Sequence, residues 1–134
     1  MIVVDSNILA YWLLPGDQME LAEQIWEQDA NWIMPPLWKS EFRSILAKFL
    51  RDKRISLAEA RTVMKEAESI LKNKAYDIDS DRVLHLVHES RCSAYDCEFV
   101  VLAQRFGVSL VTADKQILRE FPAVAVSMKQ FIKS

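Results

Sequence analysis

The chain has 134 residues, 51% of them hydrophobic and 27% charged, with a formal charge of −2 and only two glycines and four prolines. That length suits one domain with a real core, and that composition excludes a disordered, fibrous or linker-rich chain. No apolar stretch approaches the ~20 residues of a membrane span, Asp5 interrupts any signal-type apolar core, and Cys92 and Cys97 are too few for a disulfide framework, so a single soluble domain in a reducing cytoplasm is expected.

Ile2, Val3 and Val4 are a wholly apolar, β-branched run, suited to a strand buried on both faces of a parallel sheet. The run stops at Asp5, and Ser6 and Asn7 precede a short helical pattern. Leu14-Pro-Gly-Asp17 is a turn, after which Asp17 and Glu20 read as a capping box for a helix reaching about Gln28. Trp32 to Met34 is a second strand, closed by Pro35-Pro36. Trp38, Phe42, Ile45, Leu46 and Phe49 then recur at helical spacing, with Glu41 at the edge of that stripe. Ser56 and Glu59 form another capping box and open a second amphipathic helix. The two helices read as a protruding hairpin turning near Lys53-Arg54.

Ala75 to Ile78 reads as a brief extended segment, and Asp79 or Ser80 caps the following helix. A break near Arg91-Cys92 leads into a helix from Ser93 to Phe106, with Gly107 in the C′ position. Ser109 to Thr112 is a further strand, Asp114 caps a helix ending near Phe121-Pro122, and Ala123 to Val126 is the last strand before a short terminal helix. Strands alternating with helices imply an α/β fold: one central parallel sheet of four to five short strands flanked by helices.

Four acids occupy comparable places. Asp5 and Asp114 follow strands, while Glu41 and Asp96 lie in first turns of helices, and in a parallel sheet those ends share one edge. Ligands of open α/β sheets bind at that edge. Each acid also has an ordinary structural role open to it: Asp5-Ser6-Asn7 and Asp114 as helix caps, Asp96 in a box with Ser93, Glu41 as a solvated flank. Four converging carboxylates raise one another's proton affinity and call for protons or cations. Hard oxygen donors without His or Cys suit Mg²⁺ or Mn²⁺, ions that activate water and stabilise charge on a phosphodiester.

The charge is unevenly spread. Between Lys39 and Arg54 six basic residues face two acidic ones, leaving four net positive charges there and six net negative ones elsewhere. Lys39, Arg43, Lys48, Arg51 and Arg54 are candidate contacts to a nucleic-acid backbone, although such a patch is also an ordinary solvated helix face. His85, His88, Cys92 and Cys97 have the chemistry of a zinc site, but Cys97 falls in the next helix and no glycine-bearing knuckle returns it. A glycine-rich phosphate loop is excluded by having only Gly16 and Gly107. Asn7 stands where a haloacid-dehalogenase-type phosphatase has its second Asp.

Four segments together resemble the PIN-domain ribonucleases, and within them the VapC-type toxins of prokaryotic toxin–antitoxin pairs. They are Val3-Val-Asp-Ser-Asn-Ile-Leu-Ala10, Ser40-Glu-Phe-Arg-Ser-Ile-Leu46, Ser93-Ala-Tyr-Asp-Cys-Glu-Phe-Val-Val-Leu-Ala103 and Leu110-Val-Thr-Ala-Asp-Lys115. The resemblance runs nearly end to end, and Cys97, where alanine is common, is its one small departure. It implies metal-ligating and catalytic roles for Asp5, Glu41, Asp96 and Asp114, with Ser6, Asn7 and Thr112 orienting them. It further implies a sheet ordered 3-2-1-4-5, a homodimer, and an inhibitory antitoxin. The expectation is therefore a Mg²⁺- or Mn²⁺-dependent endoribonuclease. The alternative is a non-catalytic module of the same fold that binds RNA or protein.

Overall fold

The computed structural model describes all residues, 1–134. Ile2–Val4 forms strand β1, and each of its three side chains is buried, as a β-branched run between two helical layers requires. Trp32–Ile33 (β2) pairs with it on one side and Leu110–Val111 (β3) on the other, both parallel. Ala125–Val126 (β4) extends the sheet beyond β3, also parallel.

The segment around Ala75 contributes a single parallel bridge to Met34, held by Met34 N–H to Lys74 O at 3.1 Å and Tyr76 N–H to Met34 O at 3.0 Å. Counting that bridge, the sheet runs Ala75, β2, β1, β3, β4, which is the expected 3-2-1-4-5 order. The strands are shorter than their apolar runs: Ser109, Thr112, Ala123 and Val124 lie outside them.

The helices are Ser6–Leu13 (α1), Met19–Gln28 (α2), Trp38–Arg51 (α3), Leu57–Ile70 (α4), Ser80–Glu89 (α5), Ala94–Phe106 (α6), Lys115–Glu120 (α7) and Met128–Lys133 (α8). Their starts follow local hydrogen-bond chemistry. Asp5, Asp79, Ser93 and Asp114 each accept a backbone N–H of the helix that follows, and Ser56 with Glu59 closes a full capping box. α6 ends at Gly107, whose φ of 63° is the left-handed conformation that glycine adopts without strain.

Asp17 and Glu20 do not make the expected box. α2 starts after Gln18, itself in helical conformation, without a side-chain cap. The Leu14–Gln18 loop turns one residue later than its sequence suggests, and Asp17 is released to the surface.

Buried apolar side chains form one contiguous cluster around the sheet. At one end Trp12 stacks on Trp26 with ring centroids 4.2 Å apart, and Trp32 closes edge-on at 5.1 Å from Trp26. This fixes α1, α2 and β2 to one another. α3 and α4 form a helical hairpin that packs against α1.

Candidate active site

The carboxyl edge of the sheet opens into one cleft of about 800 Å³. Asp5, Glu41, Asp96 and Asp114 all line it, together with Ser6 and Asn7. Parallel pairing puts the ends of β1 and β3 side by side, which brings Asp5 near Asp114 across 109 positions of sequence. α3 and α6 present their first turns to the same opening.

Asp5 is the most constrained of the four, only 7% exposed. Its Oδ1 accepts the Ile8 N–H at 3.0 Å and so caps α1. Its Oδ2 accepts the Thr112 hydroxyl and, at 3.3 Å, the Ala113 N–H. Thr112, fully buried, is a relay: its Oγ1 also accepts the Asp114 N–H at 3.0 Å. Asp114 in turn caps α7 through Oδ1, accepting from Gln116 N–H at 2.8 Å and Ile117 N–H at 3.0 Å. A carboxylate, a hydroxyl and a second carboxylate are thereby tied into one network joining two strands and two helices. No polar side-chain atom is buried without a partner.

Ser6 sits one residue beyond Asp5, and its hydroxyl donates to Glu41 Oε1 at 2.8 Å, joining α1 to α3. Ser93 Oγ accepts the Asp96 N–H at 3.1 Å and fixes the first turn of α6. Asn7 is exposed on the cleft wall.

These surroundings favour the protonated acids. Burial raises the Asp5 pKa above the ordinary carboxylate value against its three hydrogen bonds, with the Asp114 charge adding to the rise. Burial likewise raises Glu41 against its bond from Ser6, and the charges of Asp96, Asp5 and Glu98 add to it. Asp96 is raised by burial and by Asp114. Three acids held above their usual range around one cleft are the electrostatic signature of a site that stabilises positive charge. The four do not form a ready-made ligand cluster, and Asp5 and Asp114 each turn one oxygen to the N–H groups of their own helices.

The basic candidates separate into two groups. Lys48, Arg51 and Arg54 line the cleft at the end away from the sheet. Lys39 instead reaches Glu68 on α4 at 3.5 Å, and Arg43 is exposed outside the cleft. The split follows helical phase: at ~100° per residue Lys48 lies within roughly 20° of Glu41, whereas Lys39 and Arg43 lie roughly 160° away. The zinc-type residues do not assemble. His85 and His88 are exposed, His85 pairs with Glu89 at 3.2 Å, and both cysteines are buried, with the Cys92 thiol pushed up to about 11 by burial.

Sequence reasoning missed Tyr11 and Glu98. Tyr11 lines the cleft four residues after Asn7, on the same face of α1, and burial and the Asp5 charge raise its pKa. Glu98 is half-buried and raised by burial, and its charge is felt at Glu41. The helical stripe starting at Asn7 carried the signal for Tyr11. Nothing in the spacing singles out Glu98 from an ordinary surface acid.

A parallel α/β sheet with four acids at its carboxyl edge and three cations across the same cleft defines a class of acidic-cleft α/β domain. The model of the PIN domain family matches residues 2–124, and the chain belongs to that family. Ribonuclease VapC3 of Pyrobaculum aerophilum is 27% identical over 126 residues, covering 92% of this chain and 96% of that protein. The crystal structure of PAE2754 from the same organism superposes with a TM-score of 0.73 at 20% identity, covering 98% of this chain and 93% of that one. At that identity the superposition speaks for the fold.

Proposed function

We propose that this chain is a single-domain, divalent-metal-dependent endoribonuclease, the toxin of a toxin–antitoxin pair, acting in the cytoplasm as a homodimer. The observation that carries the reading is the convergence of Asp5, Glu41, Asp96 and Asp114 on one cleft. The family and the relative named as a ribonuclease of the VapC type support the reaction and the antitoxin partner.

The donor set fits Mg²⁺ or Mn²⁺: four carboxylates with no thiol or imidazole among them, three of them with proton affinities that a cation would relieve. When bound, such an ion supplies Lewis-acid polarisation and neutralises charge on the phosphodiester. Asp5, Asp96 and Asp114 would hold it, with Glu41 beside them. Ser6 engages one oxygen of Glu41 and leaves the other free, where it would complete the ligand set or accept a proton. Ser6 and Thr112 orient the acids they touch, and Asn7 stands where it can contact substrate. Lys48, Arg51 and Arg54 hold the RNA backbone in the cleft, whereas Lys39 and Arg43 can act only on strand lying beyond it.

Incubation of purified protein with cellular RNA in Mn²⁺, in EDTA, and as the Asp96→Asn variant tests the reading. Cleavage is expected with Mn²⁺ alone, with the variant reduced at least about a hundredfold. Equal cleavage by the variant, or cleavage in EDTA, rejects it. A protein that binds RNA yet neither binds Mn²⁺ nor cleaves would instead be the non-catalytic module.

A further inference from the structure

At the end of the cleft away from the sheet, the Arg54 guanidinium carbon lies 4.1 Å from the centroid of the Phe49 ring, over its face. The same guanidinium donates from Nη2 to the Pro15 carbonyl at 3.4 Å, across from the hairpin turn to the loop after α1. Phe49, Arg54 and Pro15 all line the cleft, with Lys48 and Arg51 beside them. Arg54 has no carboxylate partner, although Asp17 and Asp52 line the same cleft.

The guanidinium thus rests on a ring and ties the hairpin turn to the loop after α1 through one carbonyl. Those two contacts fix the plane of the guanidinium and remove much of the rotamer entropy that binding would otherwise cost. One face of the plane is taken by Phe49, and the residue is exposed. A fixed, exposed guanidinium plane is a stacking platform for an unpaired base, and its remaining N–H groups can donate to base-edge or phosphate oxygens. Lys48 and Arg51 supply positive charge for the phosphate attached to that base.

We infer that Phe49 and Arg54 form a nucleotide subsite of this protein, taking the base of an unpaired RNA nucleotide on the outer face of Arg54 and its phosphate on Lys48 and Arg51. The inference rests on the reading of the cleft as an RNA site, and it locates the recognition of a flanking nucleotide at the hairpin tip. Recognition of an unpaired base then lies at the opposite end of the cleft from the reacting phosphate.

The test uses mononucleotides, so it needs neither the natural RNA nor cleavage. Adenosine and uridine 5′-monophosphate and ribose 5-phosphate are titrated into the full chain in EDTA, with the Arg54 side-chain N–H followed by NMR. The nucleotides should bind at least about fivefold tighter than ribose 5-phosphate, the contribution of one stacked base, and shift the Arg54 signal by ring current. Arg54→Lys keeps the charge and should reduce that preference to under about twofold. Phe49→Leu keeps the apolar packing and should weaken it by unfixing the plane. Asp96→Asn should leave it intact, so a nuclease reading that fails on Asp96 does not decide this result. Equal binding of nucleotide and sugar phosphate, no binding of either, or an unchanged preference in Arg54→Lys overturns the subsite.

Discussion

The two ends of the cleft are built on opposite principles. At the sheet edge the acids are over-determined: Asp5 alone makes three hydrogen bonds, two of them to residues more than a hundred positions away. At the hairpin tip the cations are exposed, and only Arg54 is held, by a ring and one carbonyl. Groups that place a metal must be held to fractions of an ångström by their surroundings. Groups that follow a flexible polyanion work through charge and tolerate play. The fold places its buried hydrogen bonds at the acids and leaves the cations of the other end exposed and, Arg54 apart, unheld.

Asp5→Ala should break the contrast most severely. It removes the cap of α1 and leaves the Thr112 hydroxyl and Ala113 N–H without an acceptor, at a cost of about 2–4 kcal/mol in urea unfolding, with activity lost. Thr112→Val is milder. It deprives Asp5 of its hydroxyl donor and the Asp114 N–H of its acceptor, costing about 1–3 kcal/mol and roughly ten- to a hundredfold in Mn²⁺ affinity by titration.

At the other end the pattern should invert. Lys48→Glu with Arg51→Glu should leave unfolding within about 0.5 kcal/mol of the parent. RNA affinity should fall, and the slope of log K against log salt should become shallower by about 1.4, for two lost phosphate contacts. Arg43→Glu, outside the cleft, should change that slope far less. If it changes it as much, the helical-phase division of the basic residues is wrong.

The smallest effect is on pH. A carboxyl whose pKa is raised on folding favours the folded state while it is protonated. Its contribution is complete below the ordinary carboxylate range and is lost as pH rises through the raised value. In EDTA, Asp96→Asn should therefore flatten the stability loss over that window, and saturating Mn²⁺ should flatten it in the parent. A steeper loss in the variant would reverse the assigned direction.

Much of this was legible because local and global signals agree. The Ile2–Val4 run, the caps at Asp79, Ser93 and Asp114, and Gly107 state their roles through side-chain chemistry alone. The Asp17–Glu20 box failed because the Pro15-Gly16 turn carries the chain past Asp17 before helical geometry begins. The four acids were legible as a set through the topology of a parallel sheet. Their hydrogen-bond relay through Thr112 was not, since it joins strands that only the fold brings together. The four basic residues on α3 carried their own sorting in its 100° step, but a net charge counted along a segment discards phase, and Arg54 lies past the end of that helix.

That step has an evolutionary consequence. α3 acts as a ruler, setting Glu41 and Lys48 two turns and roughly 10 Å apart on one face. Substitutions along it can be absorbed singly, but an inserted or deleted residue between them would swing every later side chain by about 100° and face the cation away from the acid. Length variation in descendants of this gene is therefore expected beyond Asp52, in the turn, where a change in length leaves the spacing of the two groups intact.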